Sequence, residues 1–410
     1  MISIKTRFYY GYVIVLAGFL IVMTVEGLLL YSFGLFYAAL LAEFGWTRAM
    51  TSGAFSLASL VRLPVTIFVG KLVDRFGSRP VLTGSGLLLG IGYILMSRVN
   101  TVLHLYLFYG VIVALGLSLY WVPLIAAVPG WFPGRAGSMM GIVTSGIGVG
   151  QIFFPPLVSH LIVTYGWRTS FIIVGSIGLA VTVVAAQFLR RSPQQPEISS
   201  QGEGNIGAAI GNTEAKLFRI RQMVGTKRFW TFGLIYFFWI VPLSIVMVHI
   251  AVHAIGLGMT SSDAAQMITI IGITTIVGRL FFGRMADAVG NKKAVMLSLS
   301  LMSTAFIWLL VADQDWMLYL FAAIFGLSYG VFELLQSPIA ANLFGSHSLG
   351  TVLGVFGIFA GSGLMVGPVL AGYIFDITSS YSIAFVIAAI CCIVAAVLTA
   401  LLRQTPLTPR

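Results

Sequence analysis

Apolar runs bounded by glycine, proline or charge recur along the whole 410-residue chain. Twelve stand out, at roughly 10–42, 48–70, 81–98, 102–128, 136–162, 168–189, 229–255, 262–284, 294–311, 316–344, 350–373 and 381–402. Each is long enough to cross a bilayer as a helix, since about twenty residues at 1.5 Å rise cover the hydrocarbon; the longer ones must tilt or project into water. One long polar break, 190–228, splits the runs six and six. The pattern predicts an N-terminal six-helix bundle over 1–190, a linker over 191–228 and a C-terminal six-helix bundle over 229–410. The first half of the linker reads as flexible. The stretch AKLFRIRQMVGTKRFW suits a solvated loop and a basic amphipathic helix on the membrane face equally.

Composition turns this pattern into a class. Apolar residues make up 59% of the chain and charged residues 9%, against about 25% charged in a soluble fold. That excludes a soluble protein, and lipid must be its main solvent. The net charge of +11 would on its own suggest a polyanionic partner, so the placement of the 23 basic residues decides its meaning. Eighteen lie in alternate loops and the two termini, among them Lys71, Arg75, Arg79, Arg135, Arg284, Lys292 and Lys293. Only Arg48, Arg98 and Arg168 lie in the intervening loops. The richer set faces the cytoplasm by the positive-inside rule, which puts both termini and the linker inside. The basic excess therefore records topology, and no nucleic acid is expected. The first run starts at Tyr10 with no small-residue cleavage site after it, so it reads as a membrane helix and not as a removable signal. Cys391 and Cys392 are adjacent in an apolar run, with no spacing for a metal, and read as packing residues. No nucleotide-binding loop, catalytic dyad or metal-ligand spacing is present, so no cofactor and no enzyme is expected, and gradients must supply the driving force.

The two halves also share a loop. GKLVDRFGSRP follows the second run and GRMADAVGNKK follows the eighth. Gly70, Asp74 and Gly77 match Gly283, Asp287 and Gly290 in type and spacing, which marks an internal duplication. The first glycine of each allows close helix approach, the Asp can meet the positive end of a neighbouring helix, and the cations sit at the inner surface. We read each loop as a structural latch, a device that a passive channel would not need.

With these residues the chain resembles a major facilitator superfamily transporter over all twelve runs. The resemblance implies an all-α membrane protein, with twelve transmembrane helices in two pseudo-symmetric six-helix bundles. It also implies a substrate site between them near the midplane and transport by rocking. Three stretches narrow it. YSFGLFYAALLAEFGWTRA (Tyr31 to Ala49) is similar to the opening of bacterial monocarboxylate and oxalate/formate-type carriers. WFPGRAGSMMGIVTSGIGVG resembles the fifth-helix signature of monocarboxylate transporters at Phe132, Arg135, Gly141, Gly146 and Gly150. Arg279, four residues before Gly283, stands where that family keeps its substrate arginine. A bacterial member of the monocarboxylate transporter group is thus expected, monomeric, in the inner membrane. The chain departs from the animal members at two positions. Thr275 stands where they place an Asp and Leu35 near their first-helix Lys, so their proton-coupling residues do not carry over. The eleventh run also lacks the second cation of an oxalate/formate exchanger.

Charge inside the bilayer costs at least about 2.5 kcal/mol per group, so each instance needs a reason. Glu26, Arg62, Arg279 and Glu333 are the strong candidates. The guanidinium of Arg279 is a permanently charged fork that matches a carboxylate. A carboxyl group in hydrocarbon tends to be neutral unless a cation is near, which makes Glu26 and Glu333 candidate proton carriers, with Arg62 a possible partner of Glu26. His249 and His253, one turn apart, are further proton-coupling candidates with a bland interfacial alternative. Where the family lines its cavity stand Leu28, Tyr120, Trp121, Ser145, Tyr329 and Phe359. The expected activity is secondary transport of a small monocarboxylate, lactate- or pyruvate-like, with a proton. The alternative is exchange of organic anions without net proton movement.

Overall fold

The computed structural model describes residues 9–132, 135–190, 223–344 and 349–402. Most of the linker, including the first half of the candidate amphipathic stretch, and the terminal cations Lys5, Arg7, Arg403 and Arg410 lie outside the described residues. The described regular structure is helical throughout. In chain order the helices are α1 Gly11–Phe44, α2 Arg48–Phe76, α3 Ser78–Met96, α4 Val102–Trp131, α5 136–165, α6 167–187, α7 Lys227–Gly256, α8 Ser261–Val289, α9 Asn291–Leu309, α10 Asp315–Phe344, α11 Leu349–Thr378 and α12 Ser382–Leu401. The helix Ala136–Gln187 would be about 78 Å long if straight, more than twice a bilayer core. Gly166 breaks it with φ 75° and ψ 158°, making two spans. With α2, which bends by 54° close to Pro64, the described residues supply the twelve spans that the apolar pattern predicts.

Local chemistry sets the ends. Thr101, Thr226 and Thr260 accept a hydrogen bond from the backbone N–H three residues on, at the starts of α4, α7 and α8. At the repeated loops the second glycines carry the turn, Gly77 with φ 83° and Gly290 with φ 93°, each directly before the next helix. An L side chain is strained there, so this is why glycine recurs. The first glycines differ from expectation. A Cβ on Gly70 would meet nothing within 4 Å, and one on Gly283 would meet only the Leu334 side chain at 3.6 Å, so neither makes a close helix approach here.

Two helices are deformed internally. In α1, residues Met23–Tyr31 are π-helical and Ser32 turns; in α4, Tyr106–Val113 are π-helical and Tyr120 interrupts the helix. Such wide turns concentrate at functional sites.

The halves repeat one packing scheme. In the first, α1 lies on α5, with Gly27 against the Gly150 backbone. There α3 lies on α6, and the lower part of α2 packs with α4 through Val69, Val73, Leu119 and Val122. In the second, α7 lies on α11, α9 on α12 and α8 on α10. Small residues let the backbones approach, which supplies packing in a solvent where apolar surface gains nothing from burial. Large apolar side chains such as Leu103, Phe153 and Val163 stay exposed, as lipid-facing residues do.

The chain forms two compact units. One holds Met1–Ser32 and Val61–Glu197, the other Phe33–Leu60 and Ile198–Arg410. This differs from a cut in the linker. Residues 33–60 belong with the C-terminal helices because Tyr37, Arg48 and Ser52 bond to them. The chain passes between units at Ser32, where α1 turns, and just before the Pro64 bend of α2.

Candidate functional site

Arg279 lies ten residues from the end of α8 and Glu333 eleven from the end of α10, each about 15–17 Å along its helix. One span, α9, separates the two helices in sequence, so they run in the same direction and the side chains meet at one level. Arg279 Nη2 donates to Glu333 Oε2 at 2.5 Å. Arg279 therefore reaches across to α10 and does not snorkel toward the nearby loop. The two side chains keep 19% and 34% exposure, so the pair borders open space.

The surrounding residues fix this geometry. Gly330, one turn before Glu333, makes room: a Cβ there would stand 2.7 Å from Thr275 Cγ2 and 3.0 Å from Arg279 Nε. Gln336 Nε2 donates to the Glu333 carbonyl at 3.0 Å, and its Oε1 accepts from the Tyr236 hydroxyl. Trp239 Nε1 donates to the Tyr329 carbonyl at 3.2 Å. Tyr236, Gln336 and Trp239 were not singled out from the sequence. A polar residue three after Glu333 was the available signal for Gln336; nothing marked Tyr236 among so many aromatics.

The other expected residues fall into several environments. In the first unit the Tyr120 hydroxyl donates to Glu26 Oε1, joining the π-helical turn of α1 to the break in α4. Both irregularities thus serve one carboxyl–phenol contact. Trp121 packs edge-on against Tyr120. Ser145 is half-buried and donates to the Ile142 carbonyl of its own helix. Leu28 and Tyr329 are sealed into packing at 0% and 1% exposure. Phe359 covers Gly233 within an aromatic cluster of Phe229, Trp230 and Phe356.

His249 is fully buried and both ring nitrogens are engaged. Nε2 donates to the Pro368 carbonyl at 2.8 Å, so Nδ1 accepts from the Tyr381 hydroxyl at 2.9 Å. His249 thus bridges the Pro368 carbonyl and the Tyr381 hydroxyl. His253 stands one turn on, its ring against Tyr381 and Phe385. Among the described residues no group of His, Cys, Asp or Glu has the arrangement of a metal site.

A paired arginine and glutamate are thus held mid-span on a duplicated helical scaffold. The Major Facilitator Superfamily model matches residues 15–281 and 243–410, and the chain belongs to that family. Within it the sequence is similar to monocarboxylate transporters. It is 27% identical to Monocarboxylate transporter 13 of Rattus norvegicus, over 92% of this chain and 86% of the relative. It is 27% identical to Monocarboxylate transporter 4 of Gallus gallus, over 87% and 75%. Among solved structures, the nucleoside transporter NupG aligns with a TM-score of 0.76 at 14% identity, covering 96% of this chain and 99% of that one. A D-xylose-proton symporter aligns at 0.75 and 15% identity, covering 97% and 98%. The protein is a multi-pass membrane transporter and not an enzyme.

Proposed function

We propose that this transporter carries a small monocarboxylate, lactate- or pyruvate-like, together with a proton by alternating access. The reading rests above all on the Arg279–Glu333 pair. An arriving carboxylate has the chemistry of Glu333 and takes its place on the guanidinium fork. Glu333 is then a lone carboxylate in low dielectric, where an unpaired charge costs several kcal/mol, and a proton neutralises it. The empty pair and the fully loaded set both carry no net charge. The half-loaded states do, and a charged centre resists crossing the bilayer. Proton and substrate are coupled by that difference. On the alkaline side Glu333 gives up the proton, returns to Arg279 and expels the anion.

The names of the sequence relatives support the substrate class, and one central cation suits a monoanion. Glu26 with Tyr120 is the second polar couple we assign to the pathway. The distribution of basic residues supports cytoplasmic termini and repeat loops; a bacterial inner membrane and a monomeric working unit complete our reading.

The test is uptake of labelled lactate by the purified protein in proteoliposomes. An inside-alkaline gradient should drive accumulation, Arg279→Ala should abolish it at normal expression, and Glu333→Gln should keep counterflow while losing the response to pH. Unchanged uptake by Arg279→Ala overturns the site. Uptake driven only by internal anion, indifferent to the gradient, overturns symport in favour of organic-anion exchange.

A further inference from the structure

Helices α2, α3 and α4 have 29, 19 and 30 residues, the same lengths as α8, α9 and α10, and the breaks between them match as well. Each position of the first set therefore has a counterpart in the second. Thr66 corresponds to Arg279, Arg62 to Thr275 and Tyr120 to Glu333. Both halves thus carry one arginine and one threonine a turn apart on the same helix face, with the two residue types exchanged. The counterion is not duplicated. Where α10 offers Glu333 to Arg279, α4 has the Tyr120 hydroxyl, and that hydroxyl donates to Glu26.

Arg62 is left in an unusual position by this exchange. It stands fourteen residues from either end of α2, about 21 Å along the helix, too deep to snorkel to an interface. It is half-buried, and among the described residues no carboxylate pairs with it, the expected partner Glu26 included. Thr66 turns its hydroxyl to the Arg62 carbonyl at 2.8 Å. The Tyr109 hydroxyl, on the π-helical stretch of α4, lies within reach of the guanidinium charge. All these residues belong to the first unit. A cation left this way in hydrocarbon costs at least about 2.5 kcal/mol, and a bound anion removes its charge.

We infer that Arg62 is a second anion subsite, held within the first unit, that takes the carboxylate of a small organic acid. A carboxylate suits it because two oxygens in one plane meet an edge of the guanidinium fork, which a spherical ion cannot do. The choice of a small organic acid rests on the substrate class proposed above. Arg279 must exchange Glu333 for the arriving anion, and a proton follows. Arg62 has no resident acid to displace, so it binds the anion without a proton. Each fork takes one carboxylate, and the ligand stays a monoanion.

The experiment follows the reaction of phenylglyoxal, a small apolar arginine reagent, with Arg62 of the purified protein in liposomes, mapped by mass spectrometry. Saturating lactate should slow formation of the Arg62 adduct about tenfold, whereas methyl lactate, of similar shape and no charge, should leave it unchanged. Chloride at equal ionic strength should slow it less than about twofold, and the lactate effect should persist in Arg279→Ala. These measurements need no variant of Arg62, so a folding defect there does not obscure them. In uptake, Arg62→Gln should raise the KM for lactate about tenfold while kcat and the pH response are kept, with Arg62→Lys in between. An Arg62 that does not react, or that reacts equally fast with and without lactate, overturns the subsite. Equal protection by chloride overturns the carboxylate as its ligand. Protection lost in Arg279→Ala overturns a separate site. Protection of Arg62 without lactate uptake would sink the transport reading and leave the subsite standing. Uptake that depends on Arg279 while Arg62 stays unprotected would sink the subsite alone.

Discussion

The second unit uses an arginine and a carboxylate twice, in opposite ways. Mid-span, Arg279 meets Glu333 side chain to side chain, and the pair borders open space. At the far end of α2, the carboxylate of Asp376 bonds to backbone amides while the guanidinium of Arg48 lies on Phe375. In the first couple the carboxylate is a counterion that another carboxylate can replace. In the second it is bound by a helix terminus, and the cation is fixed by rings. Residue type is shared; the difference lies in whether backbone or side chain supplies the donors.

This contrast can be broken or sharpened by substitution. The largest effect is expected from Arg279→Lys, because an ammonium keeps the charge but not the planar fork. Uptake should fall by about a hundredfold, whereas Arg48→Lys, which keeps a cation near Phe375, should cost less than about tenfold in the same assay. Equal losses would erase the distinction between the couples. Next comes Gly330→Ala, whose added methyl displaces the guanidinium without touching charge. The KM for monocarboxylate should rise about tenfold at normal expression, and no change would mean that the site tolerates a shifted Arg279. Smaller again are Gly77→Ala and Gly290→Ala, each with a glycine-type φ. Each should cost about 1–2 kcal/mol of stability, read as a lower thermal midpoint in detergent. A similar loss in both would confirm that the duplicated loops are held by the same backbone requirement. The smallest effect belongs to Tyr120→Phe, which removes one hydrogen bond to Glu26. About 1 kcal/mol is expected, seen as a few-fold change in uptake.

Much of this was legible in the chain. The apolar runs located the spans to within a few residues, because a bilayer demands long uninterrupted apolar helices and leaves few alternatives. Arg279 and Glu333 stood out because charge is scarce in such runs. The second glycines of the repeated loops were found by spacing, and a positive-φ turn is their reason, whereas the first glycines make no close helix approach. The histidine pair shows where local reading stops. His249 and His253 do share a face, yet that face is packed against Tyr381, and the His249 nitrogens are taken up by Tyr381 and the Pro368 carbonyl. Asp376 and Arg48 read only as charges at the ends of runs, since their partners are hundreds of positions away.

The sequence by itself thus determined the solvent, the number of spans, the duplication and the identity of the mid-span charges, all properties carried by local composition and period. Tertiary structure alone decided that Glu333 and not Thr275's helix supplies the counterion of Arg279, that Glu26 meets Tyr120, and that α2 starts on a carboxylate from α11. Helix pairing brings those atoms together, and a pairing between distant helices leaves no period in the chain from which to read it.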